Sequence, residues 1–257
     1  MMNIRKVRDT ITTFIKVSVP KSRGVVIGLS GGIDSTLTCQ LAIDALGAER
    51  VTGIIIKNNR YSSEDLKKVE EYAKKTGIKL KVIDSTGLTK DILQIFDYKL
   101  PVEKSSSIDA RMTDFIIRNY AMIKNKVYLG TINGTERLTG WYPKASLVGD
   151  FCPLGGLLKT HEKLLAKECG LENLIETVSE SADKICSGCG RLANFDDISY
   201  EELDEILYIY ETRADYKRIL KENFDTKKVN KILKRIGAVK HKHDLFAKYP
   251  RIYQERS

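Results

Sequence analysis

The sequence predicts an α/β protein: a doubly wound, mostly parallel sheet with flanking helices and a helical carboxy-terminal appendage. Short runs rich in β-branched and aliphatic residues recur at Val25–Leu29, Val51–Ile56 and Lys79–Ile83, and stretches of helical periodicity separate them. The joining loops are only a few residues long. Strands that alternate with helices in this way pair in parallel, because each crossover carries the chain back to the same end of the sheet.

Each element has its own signal. Ile4, Val7, Ile11, Phe14 and Ile15 fall on one helical face, so an opening helix runs to about Val17, ahead of Pro20. Val25-Val26-Ile27-Gly28-Leu29 is a buried strand, followed by a glycine turn and a helix from Ile33 to Leu46 that Gly47 closes. Val51 to Ile56 is a second strand, Ser62 to Lys75 a helix, and Lys79 to Ile83 a third strand. A long helix over roughly Ile108 to Ile123 leads into a fourth strand, Val127-Tyr128-Leu129-Gly130. Thr131 to Gly156 is glycine-rich and aperiodic, too long for a connector, and loops of that length are usually functional. Lys159 to Cys169 and Tyr200 to Tyr210 are helical, and Ala214 to Arg235 forms two more helices. We read residues 1–257 as one domain with a basic helical segment over about 199–257.

Composition sets the outer limits. A chain of 257 residues, 42% hydrophobic, buries one substantial core. Lys and Arg number 43 against 34 Asp and Glu, and the net charge of +9 suits anionic partners such as nucleotides or RNA without choosing between them. Residues Met1 to Lys16 alternate charged and apolar side chains and lack the apolar run of a signal peptide or membrane span, so a cytoplasmic protein with no membrane partner is expected. The five cysteines, at 39, 152, 169, 186 and 189, are an odd and scattered set unlike a disulfide framework, and we read them as reduced.

The chemistry centres on Ser30-Gly31-Gly32-Ile33-Asp34-Ser35, placed where a strand ends and a helix begins. Backbone amides and the helix dipole receive anions at such a junction. Adjacent glycines let the main chain approach a phosphate, and Ser30 and Ser35 supply hydroxyl donors. A carboxylate beside a phosphate repels it unless a cation lies between them, so Asp34 reads as a Mg²⁺ ligand. The loop lacks the lysine of the G-x-x-x-x-G-K-[ST] cradle and is not that of kinases or GTPases. A plain strand-to-helix turn with an acidic residue in its first helical turn is the structural alternative.

The string S-G-G-x-D-S after a buried strand resembles the signature loop of the N-type ATP pyrophosphatases, which have a Rossmann-like sheet of the adenine nucleotide α-hydrolase type. The resemblance implies that the β- and γ-phosphates of ATP leave as pyrophosphate after attack on the α-phosphorus. Further along, Gly130-Thr131, Glu136, Gly140-Trp141-Tyr142-Pro143-Lys144, Gly149-Asp150, Pro153-Leu154 and Lys159-Thr160 are similar in order to ammonia-dependent NAD synthetases. So are Glu180-Ser181-Ala182-Asp183, the run Ile198 to Asp204, and His241-Lys242.

That resemblance implies that Gly28, Leu29, Ser30, Gly31, Gly32, Ile33, Asp34 and Ser35, with Thr131, Lys159 and Ser181, bind ATP as co-substrate. It implies that Asp34 and Glu136 hold Mg²⁺, and that Arg111, Lys144, Asp150, His241 and Lys242 bind deamido-NAD. Asp34 and Lys159 would be the catalytic pair. The implied reaction is adenylation of the nicotinate carboxylate, then attack by ammonia to give NAD and AMP. A chain this short leaves no room for an amidase domain, so free ammonia is the expected nitrogen donor. A homodimer is implied by the same resemblance, and no nucleic-acid partner is expected.

Three departures from the family pattern stand out. Met112-Thr113-Asp114 follow Arg111 where a second Arg and a Met are usual, and Ala145 to Asp150 replaces the usual Tyr-Gly-Asp after the lysine. Cys186-Ser187-Gly188-Cys189 occupies a stretch usually acidic and amide-bearing. The pair could bind zinc, with Cys152 and His161 as further ligands, act as a redox pair or sulfur carrier, or be small residues of a loop. A tRNA sulfurtransferase with the same loop is the alternative reading, favoured by charge and the cysteine pair, and a non-catalytic nucleotide sensor is another.

Overall fold

The computed structural model describes residues 2–57, 63–95, 102–173, 195 and 197–245. Helix α1 (Ile4–Ser18) starts at Asn3, whose side chain accepts from the Lys6 amide at 3.0 Å, and it buries Val7, Ile11 and Ile15. Then come β1 (Val25–Gly28), α2 (Ile33–Leu46), β2 (Val51–Lys57), α3 (Ser63–Thr76), β3 (Lys79–Asp84), α4 (Leu88–Ile95), α5 (Val102–Ile123) and β4 (Val127–Leu129). After β4 follow α6 (Gly134–Thr139), α7 (Lys159–Glu168), α8 (Tyr200–Thr212), α9 (Tyr216–Asn223) and α10 (Thr226–Val239), with a 3₁₀ turn at Lys240–Leu245.

The four strands are parallel in the order β3-β2-β1-β4. Alternate residues supply the two faces of the sheet, as the strand period of two requires. Val25, Ile27, Val51, Ile55, Val127 and Leu129 join the core shared with α1, α2 and α7, while Val26, Ile54, Ile56 and Tyr128 meet Ile117 and Ala121 of α5 on the other face. Coverage of both faces explains why β1 and β2 read as unbroken apolar runs. Each aliphatic side chain fully buried there contributes roughly 1.5–3 kcal/mol. The outer strand β3 keeps Lys79 and Lys81 exposed, which blunts its free edge.

A second apolar core lies around α6. Leu138 and Leu158 pack with Leu203, Ile206 and Leu207 of α8, Leu220 of α9, and Val229, Ile232 and Ile236 of α10. The appended helices predicted from sequence are therefore packed against the elements that follow β4.

Four elements differ from the sequence reading. Helix α4 was not anticipated; it starts just after Gly87, whose φ of +92° breaks the chain direction. Helix α5 begins at Val102, earlier than the apolar period at Ile108 indicated, because Ser105-Ser106-Ser107 carries no helical signal. The stretch from Thr131 to Gly156 is not a plain loop: it contains α6, a helix too short for periodicity to register. The last helix also runs on past Arg235 to Val239.

Candidate active site

Chain order turns around at β1: β2 and β3 add on one side of it, and β4 on the other. In open α/β sheets the crevice at such a reversal, outside the carboxyl ends of the strands, is where ligands bind. The two loops that flank it are Leu29–Gly32 after β1 and Gly130–Asn133 after β4.

The first loop is pre-shaped. Gly31 takes φ +83°, and Gly32 caps α2 with no side-chain hydrogen bond, so the first-turn amides are left to an outside acceptor. The Ser35 hydroxyl donates to the Gly32 carbonyl at 3.0 Å, accepts from the Ser30 amide at 3.2 Å, and lies 3.2 Å from the Ser30 hydroxyl. The Gly32 amide in turn donates to Ser30 Oγ at 3.2 Å. These bonds close the turn without any ligand.

Beside the loop is a cavity of about 210 Å³. Its walls are apolar, from Ile54, Ile56, Ile117, Tyr128 and Leu147, and its polar positions are Ser30, Ser35, Thr113 and Thr131. That is the composition of a small-molecule pocket. Gly28 lines it too, and a Cβ there would come 2.6 Å from Ile117 Cδ1. The far wall is held under strain: Ala145 and Leu147 have φ of +61° and +63°, costing of order 1–3 kcal/mol each. Asp114 on α5 accepts from the Leu147 amide at 2.8 Å, Ser146 donates to the Ala110 carbonyl at 3.0 Å, and Thr131 donates to the Leu147 carbonyl at 3.3 Å.

Asp34 is the hub between the loops. Its Oδ1 accepts from Asn133 Nδ2 at 2.6 Å and its Oδ2 from Lys159 Nζ at 2.8 Å. Burial alone would raise the Asp34 carboxyl, but the Lys159 ammonium and the Asn133 amide outweigh it and hold its pKa below the ordinary value. Burial would likewise lower Lys159, yet Asp34, Glu162 and Glu136 leave its ammonium more firmly protonated than usual. Asn133 is also the cap of α6: its side chain accepts from the Glu136 amide at 2.9 Å, while Glu136 Oε2 accepts from the Asn133 amide at 3.1 Å. One asparagine thereby ties together the two carboxylates singled out for a metal.

Glu162 is the least expected member. Its side chain is fully buried, and its Oε2 is 3.1 Å from Lys159 Nζ but outside hydrogen-bonding geometry. Burial first, and the neighbouring Asp34 second, raise its pKa well above the ordinary carboxyl value. Lys159 thus sits between one ionised and one protonation-prone carboxyl group.

The family model for NAD synthase matches residues 4–245. The chain belongs to the NAD synthase family. The NH(3)-dependent NAD(+) synthetase of Methanosarcina acetivorans is 32% identical, over 94% of this chain and 96% of its own. That of Methanocaldococcus jannaschii is 32% identical over 95% and 96%. Among solved structures, the NMN synthetase of Francisella tularensis superposes with a TM-score of 0.78 at 20% identity, covering 96% of this chain and 99% of that one. The NH3-dependent NAD synthetase of Campylobacter jejuni gives 0.74 at 24%, covering 94% and 96%. At those identities the two structures speak to the fold.

Against that family background, the predicted residues separate by position. Gly28 to Ser35 and Thr131 lie at the loop and cavity, and Lys159 and Glu136 at the Asp34 hub. Arg111 donates to the Lys144 carbonyl at 3.3 Å, and Arg111 and Arg235 are close enough to Lys242 to add to the lowering that burial imposes on its ammonium. Arg111, Arg235 and Lys242 form a basic cluster, at whose edge Lys242 Nζ donates to the Gly140 and Tyr142 carbonyls at 2.7 and 2.8 Å. Asp150 is exposed, its carboxylate accepting from the Tyr128 amide at 3.0 Å and from Arg118 at 3.3 Å, and His241 is exposed with Nδ1 3.0 Å from the Ala238 carbonyl. Ser181, Cys186 and Cys189 lie outside the described residues.

Cys152 donates to the Ile132 carbonyl at 3.1 Å, and the His161 ring meets Tyr208 edge-on. Burial raises the thiols, Cys39 to about 12 and Cys169 to about 11. Among the described residues no group of three or more His, Cys, Asp or Glu has metal-ligand geometry. No described helix is long and apolar enough to cross a membrane. Asn133, Glu162 and Arg235 were not singled out from sequence. Only Asn133 left a signal, the Asn-x-x-Glu capping pattern.

Proposed function

We propose that this member of the family is an ammonia-dependent NAD synthetase, converting deamido-NAD, ATP and ammonia to NAD, AMP and pyrophosphate. The observation that carries the reading is the family match over residues 4–245, reinforced by 32% identity to NH(3)-dependent synthetases along nearly the whole of both chains. The base-adenylating sulfurtransferase alternative is set aside on the same ground.

In this reading the cavity takes the adenosine, and the turn from Ser30 to Ser35 takes the β- and γ-phosphates. The nicotinate carboxylate attacks the α-phosphorus, the bond to the bridging oxygen of pyrophosphate breaks, and a mixed anhydride forms. Ammonia then adds to the activated carbonyl, loses a proton, and expels AMP. No covalent enzyme intermediate is needed, so positioning and charge carry the rate. Lys159 moves from Asp34 toward the departing phosphates, and Arg111 and Lys242, with Lys144, Asp150 and His241, orient the second nucleotide.

Asp34 and Glu136 suit Mg²⁺: they are carboxylate oxygen ligands in the first turns of α2 and α6, joined through Asn133, beside the phosphate turn. When bound, the ion supplies positive charge for the leaving pyrophosphate. The exposed α5 side chains Phe115 (60%), Met122 (69%) and Ile123 (70%) form an apolar stripe that supports a homodimer. ATP, free ammonia and reduced thiols fit a cytoplasmic enzyme.

The test is a product analysis with purified protein, ATP, Mg²⁺ and ammonium. Deamido-NAD should yield NAD, AMP and pyrophosphate in equal amounts, and nicotinate mononucleotide, offered because of the fold shared with an NMN synthetase, should react far less. ADP as product, or preference for the mononucleotide, would reject the assignment.

A further inference from the structure

Asp204 of α8 is 98% removed from solvent, with 2% of its surface left, yet it belongs to none of the roles above. Its two carboxylate oxygens reach two different elements. Oδ1 accepts from the Thr135 hydroxyl of α6 at 2.6 Å, and Oδ2 accepts from the Thr160 amide at the start of α7 at 2.7 Å. The Thr135 hydroxyl, while donating to Asp204, accepts from the Lys159 amide at 2.9 Å. Leu158, the cap residue of α7, makes no side-chain capping bond, so the first two amides of that helix are satisfied from α6 and α8 instead.

Resting on the site reading just given, we propose that Asp204 is a positioning residue for Lys159, fixing the first turn of α7 so that the lysine side chain is aimed at the phosphate turn. A buried carboxylate that accepts from a helix-terminal amide and a hydroxyl is bound by charge-assisted hydrogen bonds, stronger than neutral ones. It also places negative charge at the positive end of α7. The Lys159 backbone and the Thr160 amide then cannot shift without breaking contacts to two other helices. A single cation must reach phosphate to within hydrogen-bond distance, and misplacement by about 1 Å can cost on the order of a hundredfold in rate. Helix α8 therefore reaches into the chemistry through this side chain.

The experiment measures kcat and KM for NAD formation in Asp204→Ala, Asp204→Asn, Thr135→Val and Lys159→Met, each per folded molecule and below its melting point. Asp204→Ala and Thr135→Val should lower kcat by about tenfold to a hundredfold, with the KM for deamido-NAD little changed. Asp204→Asn keeps an acceptor for the Thr160 amide and should recover most of the loss. Placed on a Lys159→Met background, Thr135→Val should cost little more, because its effect passes through the lysine. If Asp204→Ala does not fold, Thr135→Val carries the test alone. Full kcat in Thr135→Val, or an undiminished loss on the Lys159→Met background, overturns the inference. Wild-type kcat in Lys159→Met itself overturns the site reading, and the inference with it.

Discussion

Replacing Lys159 by Met separates what the lysine does for stability from what it does for catalysis. At 2.8 Å from Asp34 Oδ2, the direct attraction is roughly 6 kcal/mol at an effective dielectric of about 20, before desolvation is charged against it. Both side chains are mostly buried, with 13% of Lys159 and 24% of Asp34 left exposed, so most of that sum is offset by lost hydration. A net of about 2 kcal/mol, the range for a hydrogen bond to a charged group, remains. For a chain of this size the variant should melt roughly 4–8 °C lower. Turnover should fall much further, by about 10²–10³, the usual cost of removing one donor from a developing anion. Differential scanning fluorimetry with and without ATP, beside a pyrophosphate-release assay, reads both. The stabilisation that ATP confers should shrink too, since it depends on affinity for the folded state. Turnover within a few-fold of wild type, or ATP stabilisation unchanged, would refute the reasoning.

Glu162→Gln tests the buried carboxyl. Because burial and Asp34 raise its pKa, the folded state retains a proton that the unfolded carboxyl loses near its ordinary value of about 4.3. Its contribution is therefore intact below that pH and declines as pH climbs toward the folded pKa. The variant, having no such decline, should gain in Tm relative to wild type on going from pH 5 to pH 8, and a pH-independent difference would reject the account. Gly28→Val would push a branched side chain toward Ile117 and into the cavity; it should raise the KM for ATP about tenfold or more, equivalent to roughly 1.4 kcal/mol, and leave that for deamido-NAD nearly unchanged. Phe115→Glu with Met122→Glu should shift sedimentation from dimer to monomer, and an unchanged profile would remove α5 from the interface.

The sheet was legible because its signal is local. Val25–Leu29 and Val51–Ile56 are apolar throughout, and such strands exist only where helices cover both faces, as α2 and α5 do here. Helix α6 was not legible: Gly134–Thr139 has too few residues for a period, and its start depends on one asparagine and one glutamate. The early start of α5 failed for a related reason, since serines at 105–107 prefer other conformations and yield only to the context of the fold.

The site divides along the same line. The turn from Ser30 to Ser35 is contiguous, and its glycines and hydroxyls announce themselves in order. The rest is assembled across sequence separations of 99 residues for Asn133 with Asp34, 125 for Lys159 with Asp34, and 69 for Thr135 with Asp204. No local pattern distinguishes Lys159 and Glu162, spaced three apart on a helix, from an exposed ion pair at that spacing. What makes them different is where α7 begins. Its first turn is held by α6 and α8, against a sheet whose strand order reverses between β1 and β4, so that loops distant in sequence open onto one crevice. The glycine turn alone has the form of any tight strand-to-helix turn; the reversal of strand order, with the helical segment docked behind it, is what puts a lysine and two carboxylates beside the turn that we propose holds phosphate.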